Sequence, residues 1–213
     1  MAKLTLYIGN KNYSSWSLRP WLVLRKSGLP FEENLIPLYQ DGTKEKLLAL
    51  SPAGTVPVLQ VGDERIPDSL AISEWAAKCV PNLWPKDPAR RERARALCKQ
   101  MQDDFGVLRN TAHMNLRRRT TTPMPKGCLD EAARLVAIFE DLLGAHEGPF
   151  LFDDWSIADA FATPFATRFN TYGMECDLKV DTYFSELMAD EDYLDWEMAA
   201  MNEPWAIDVV EAV

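Results

Sequence analysis

Leu4-Thr5-Leu6-Tyr7-Ile8-Gly9-Asn10-Lys11-Asn12-Tyr13-Ser14-Ser15-Trp16-Ser17-Leu18-Arg19-Pro20-Trp21-Leu22-Val23-Leu24 reads as a strand, a polar turn and the opening of a helix. Leu4, Leu6 and Ile8 alternate with Thr5 and Tyr7, the period of a half-buried strand. Residues 9–15 are polar, and an apolar helical run begins at Trp16. Pro20 fits that helix only within its first turn, where no intrahelical N–H is needed. Gly28 is a natural helix stop, with Pro30 just beyond it.

Working outward, Phe31 to Ile36 reads as a second strand and Lys44–Leu50 as a short helix. Val56-Pro57-Val58-Leu59-Gln60-Val61 and Glu64-Arg65-Ile66 form a hairpin around Gly62-Asp63. Asp68-Ser69 caps a helix through Cys79. The order is βαβαββα. Three prolines in residues 81–88 mark a linker, and everything beyond reads as helix. Residues 89–117 are expected to form one long helix, broken by 118–127. Residues 129–143 place Ala132, Leu135, Val136, Phe139, Leu142 and Leu143 on one face. Ser156 and Asp159 form an acidic capping box for a helix through about Thr171, and two short acidic helices follow. The reading is α/β plus all-α: a βαβαββα unit over 1–80, a linker over 81–88 and an all-helical unit over 89–213.

Composition narrows the chemistry. The four cysteines, Cys79, Cys98, Cys128 and Cys176, form no CxxC, which argues against a zinc ribbon or a dithiol redox motif. Two histidines make a His-based metal site a poor expectation, so no metal is expected. No apolar run approaches membrane-spanning length, and free thiols suit a reducing cytoplasm. The net charge of −9 argues against nucleic acid or an anionic membrane as partner. Residues 175–213 hold twelve acids and one base, so the acidity is expected on a solvated surface away from the chemistry.

Four features carry that chemistry. Ser14, Ser15 and Ser17 at a helix mouth either cap the helix or, with its free N–H groups, stabilise an anion such as a thiolate. Thr55-Val56-Pro57-Val58 enters a strand; the Val56–Pro57 bond is either an ordinary trans bond or a cis one that turns Val56 outward to pair with an extended ligand. Asp68 and Ser69 cap a helix or hold an amino-acid head group by its ammonium and carboxylate. The Ser156/Asp159 box is structural.

In this order and spacing the features resemble the glutathione transferase superfamily over nearly the whole chain. Ser14-Ser15-Trp16-Ser17 is most similar to the zeta class, the maleylacetoacetate isomerases, which reads Ser-Ser-Cys-Ser. Trp16 replaces the class's cysteine and removes a cysteine-based thiol mechanism. The resemblance implies a thioredoxin-like first unit, a cytoplasmic homodimer, and glutathione as co-substrate for a small electrophile. It implies Ser14 as the hydroxyl that activates the thiol and Ser15 as a neighbouring contact. Val56 would be the main-chain anchor, and Asp68 and Ser69 the γ-glutamyl clamp. Asp104 would complete the clamp across the dimer, and Gln40, Lys44 or Lys46 would meet the glycyl carboxylate. Tyr13, Trp16, Phe105, Arg109 and His113 are expected around the second substrate. The zeta class also carries an arginine on the helix opened by Ser156; Arg168 lies about one turn earlier, and no role is carried onto it. Rival readings are a glutathione-dependent isomerase and a non-catalytic binding module of the same fold.

Overall fold

A computed structural model describes residues 3–212. Four strands, β1 (Leu4–Ile8), β2 (Glu32–Leu35), β3 (Val58–Val61) and β4 (Glu64–Pro67), form one sheet in the order β2-β1-β3-β4. β1 runs parallel to β2 and antiparallel to β3; β3 and β4 are antiparallel. Helices α1 (Ser15–Ser27), α2 (Thr43–Leu50) and α3 (Ser69–Cys79) connect and cover the strands. Leu4, Leu6 and Ile8 are buried, as the alternation predicts. From Pro88 onward the regular elements among the described residues are helices: α4 (Pro88–Asp103), α5 (Gly106–Thr111), α6 (Lys126–Gly144), α7 (Ile157–Tyr172), α8 (Leu178–Ala189), α9 (Glu191–Met201) and α10 (Asp208–Glu211). α7 is buried along nearly its whole length and packs against both α1 and α4. The seam between sheet-bearing and helical parts therefore runs along α1.

Asp159 fixes the start of α7. Its carboxylate accepts from Leu151 N (3.1 Å), Ser156 N (2.8 Å), Ser156 Oγ (3.0 Å) and Tyr183 Oη (2.9 Å). It is fully buried, and burial pushes its pKa up to about 6.

Three expectations are corrected. The stretch 89–117 is not one helix. α4 stops at Asp103, and Phe105 takes a left-handed conformation (φ 58°), an uncommon state for a bulky residue. The Arg109 guanidinium pays for the break by donating to the exposed carbonyls of Met101 (3.0 Å), Gln102 (2.9 Å) and Asp104. Pro20 lies in the second turn of α1, where it removes the N–H that would meet the Trp16 carbonyl. The acidic segment is also not remote. Asp190, Asp192 and Asp195 pair with Arg25 and Lys26 of α1, and Glu203 is buried.

Candidate functional site

β1 delivers the chain to a six-residue loop, 9–14, that turns into α1. Ser14 caps the helix: its Oγ meets Ser17 N at 3.4 Å and donates to Ser17 Oγ at 2.8 Å. Ser17 Oγ in turn accepts from Gly9 N at 3.1 Å. Either hydroxyl rotor can turn, so Ser17 can donate to Ser14 while Ser14 donates to a ligand. In the first turn of α1, Ser15 N meets Tyr13 O (3.0 Å) and Ser17 N meets Ser14 O (3.1 Å), while Trp16 N has no acceptor among the described residues, and the helix dipole adds partial positive charge there.

Ser15 faces α7. Its Oγ accepts from Arg168 Nη2 at 3.2 Å. Arg168 is buried and also donates from Nε to Ala112 O (2.8 Å) and from Nη1 to Pro164 O (2.7 Å). A guanidinium has five N–H donors, so two remain. Arg19, one turn beyond Ser15, is fully buried, and its three nitrogens have no hydrogen-bond partner among the described residues. Its guanidinium stacks on Trp16 (4.3 Å) and Phe161 (5.0 Å). Arg109 approaches the same indole at 5.4 Å. Burial, with mutual repulsion, lowers Arg19 and Arg168 to about 9. Three guanidinium groups thus gather at one seam, and none hydrogen-bonds a carboxylate among the described residues. Such a place favours an anion.

The Val56–Pro57 bond is cis, and the main chain of Val56 makes no hydrogen bond among the described residues. Asp68 has φ 78°, rare for a residue with a side chain. Its Oδ1 accepts from Leu70 N (2.8 Å) and Ala71 N (3.1 Å), which makes it the cap of α3. Its Oδ2 points the other way and meets Gln102 Nε2 at 3.1 Å; the same amide reaches Ser69 Oγ at 3.1 Å. One carboxylate thus both caps and faces outward. A cavity of about 520 Å³ opens beside it, lined by Trp16, Asp68, Glu74, Lys99, Gln102 and Asp103, among others.

The expected residues divide. Ser14, Ser15, Trp16, Val56, Asp68 and Ser69 sit on the loop, α1 and the α3 entry as described. Lys44 and Lys46 are exposed on α2, and Gln40 is exposed just before it. Tyr13 does not wall an open pocket: it packs against Ile207 and Val210, with its hydroxyl on Arg117 and Glu211. Phe105 is fully buried against Phe165 (5.8 Å). Arg109 meets Trp16 but not from the same helix as Met101, so the four-residue series ending at His113 does not form one face. His113 is half-buried beside Arg168, and burial lowers its pKa. Asp104 turns toward Arg134 of α6 (4.0 Å), while Gln102 bonds Asp68 and Asp103, paired with Lys99, lines the cavity beside it. Arg168 and Arg19 are participants that the sequence reading left without a role.

Residues 13–79 match the sequence family "Glutathione S-transferase, N-terminal domain". A probable maleylacetoacetate isomerase of Caenorhabditis elegans is 30% identical over 179 residues, 79% of this chain and 81% of the relative. The chain belongs to the glutathione S-transferase superfamily. Within this transferase superfamily it is zeta-like: a maleylacetoacetate isomerase of Pseudomonas aeruginosa is 34% identical over 54% of the chain and 57% of the relative. A solved glutathione transferase homologue from Burkholderia, with bound glutathione, superposes with a TM-score of 0.74 at 25% identity, covering 94% of this chain and all of that one. The thioredoxin-like unit followed by an all-helical one is the transferase fold.

Proposed function

We propose that the chain is a serine-type glutathione transferase. The observation that carries this reading is the mouth of α1, where two buried hydroxyls, Ser14 and Ser15, meet the unpaired Trp16 amide beside guanidinium groups that hydrogen-bond no carboxylate among the described residues. Ser14 donates to the glutathione sulfur and stabilises its thiolate. Ser15, oriented by Arg168, is the second contact. Val56 pairs with the cysteinyl main chain, and Asp68 Oδ2 with Ser69 holds the γ-glutamyl head group. The thiol proton leaves to solvent. The thiolate then forms a carbon–sulfur bond, and the leaving group departs with its electron pair. The protein lowers the thiol pKa and holds both reactants in line. A cytoplasmic homodimer completes the reading, with Asp104 reaching the partner's clamp.

Calorimetric titration with glutathione tests the first half, and turnover of a neutral aromatic halide the second. Binding together with turnover is expected; folded protein that binds glutathione without turning over any electrophile is the binding module instead. Asp68→Asn keeps the cap acceptor and removes the charge. It should raise the KM for glutathione by about tenfold, the worth of one charge-assisted contact, with kcat little changed. An unchanged KM, measured in the same assay, removes Asp68 from the clamp.

A second reading is favoured by Arg168 and its two spare donors next to Ser15: isomerisation of an electrophile that bears a carboxylate. Arg168→Met should then raise the KM for a carboxylate-bearing electrophile at least about tenfold more than for a neutral halide. Equal effects on the two substrates make Arg168 a structural residue only.

A further inference from the structure

Residues 203–212 cross the loop that leads into Ser14. Glu203, just past α9, is buried, and its two carboxylate oxygens accept from successive main-chain amides, Lys11 N at 2.6 Å and Asn12 N at 3.2 Å. Asn10 O, immediately before them, accepts from Tyr13 N (3.1 Å) and Ser14 N (2.7 Å). The path of Asn10–Asn12 therefore sets where Ser14 stands. Arg117 ties the segment down by donating to Glu203 O (2.7 Å), Trp205 O (2.7 Å) and Tyr13 Oη (2.8 Å). Glu211 accepts from Tyr13 Oη and from Asn115 Nδ2 (3.0 Å). Ile207 and Val210 press on the Tyr13 ring, in a small apolar cluster apart from the main core.

We propose that residues 203–212 are a strap that fixes the thiol-activating loop, and that Glu203 is a positioning residue for Ser14 acting through the Lys11 and Asn12 amides. The inference rests on the reading of Ser14 as the activating hydroxyl. A carboxylate suits this task because both of its oxygens only accept. Glutamine of the same length would turn an NH2 group toward one of the two amides. That amide would lose its acceptor and the loop would shift.

Charge and position pull in opposite directions here, which makes the test decisive. Removing a negative charge near a thiolate lowers the thiol pKa by Coulomb's law alone. Displacing Ser14 raises it. The experiment uses the full chain, wild type and Glu203→Gln, with the thiolate absorbance of bound glutathione followed against pH and with kcat and KM measured alongside. The expected result is a bound-thiol pKa about one unit higher and kcat/KM about tenfold lower at neutral pH, a gap that closes at high pH. The KM for glutathione should stay within about threefold, because Val56, Asp68 and Ser69 are held elsewhere. An unchanged or lowered thiol pKa with an unchanged rate overturns the strap. Should Glu203→Gln fail to fold, Glu211→Ala removes the one oxygen that Tyr13 Oη and Asn115 Nδ2 share and loosens only the strap's tip: the same directions are expected at about two- to threefold, and no change overturns the proposal. A wild-type protein that leaves the bound thiol at its free value overturns the Ser14 reading itself, whereas a shifted wild type with an equally shifted Glu203→Gln overturns the strap alone.

Discussion

Ser14→Ala is expected to cut turnover with an aromatic halide by about 10- to 150-fold at neutral pH, the worth of a charge-assisted hydrogen bond of about 1.5–3 kcal/mol. The same loss should raise the pKa of bound glutathione by about 1–2 units. The two numbers are linked, so the rate deficit should shrink about tenfold per pH unit and vanish once the thiol ionises without help. The mutation removes little apolar packing and no salt bridge, and Ser17 keeps its bond from Gly9 N (3.1 Å). The folded state should therefore lose only a helix cap, about 1 kcal/mol. A pH–rate profile of kcat/KM for both proteins reads all of this. Parallel profiles would transfer the activating role to Ser15, whose hydroxyl Arg168 orients at 3.2 Å.

Asp159→Ala is expected to produce the largest loss of stability. Four donors converge on that carboxylate, and all of them are left without an acceptor when it goes. Leaving buried polar groups unpaired costs about 1–3 kcal/mol each and the costs do not add fully, so about 3–5 kcal/mol is expected. That is a large part of a domain's total stability. The sign of the pH dependence follows from burial. The folded carboxyl holds its proton up to about pH 6, while the unfolded one releases it near 4. Between those values the folded state binds more protons, so this group's contribution to stability falls as pH rises and is level above about 6. The stability gap between wild type and Asp159→Ala should thus narrow from pH 4 to pH 6, by up to about 3 kcal/mol. Denaturant unfolding at several pH values measures it, and a gap that widens over that window contradicts the account.

Local signals were legible where they were strong. The alternation in Leu4–Ile8, the Asp68-Ser69 cap and the Ser156/Asp159 box are short-range patterns, and the structure places a strand and two helix starts there. The break in α4 was hidden because its cause is not local. Residues 88–103 continue smoothly into 106–111 by helical period, and only Gly106 hints at a stop. What ends the helix is a guanidinium six residues on that satisfies its last carbonyls, together with the burial of Phe105 against Phe165. The roles of Arg168 and Glu203 were hidden for the same reason. Arg168 meets a hydroxyl 153 positions away, and Glu203 meets amides 192 and 191 positions away. No spacing rule reaches that far. Charge counting misread the acidic segment because it sums residues without saying what they face: the carboxylates there meet Arg25, Lys26 and the loop before Ser14.

The central claim is that the mouth of α1 holds a thiolate on Ser14. A crystal structure of the wild-type chain soaked with glutathione tests it most directly. The account predicts the sulfur within hydrogen-bond reach of Ser14 Oγ, the Val56 main chain paired with the cysteinyl unit, and the γ-glutamyl ammonium on Asp68. Glutathione bound with its sulfur out of reach of Ser14, whether against Ser15 alone or away from the α1 mouth altogether, would contradict it.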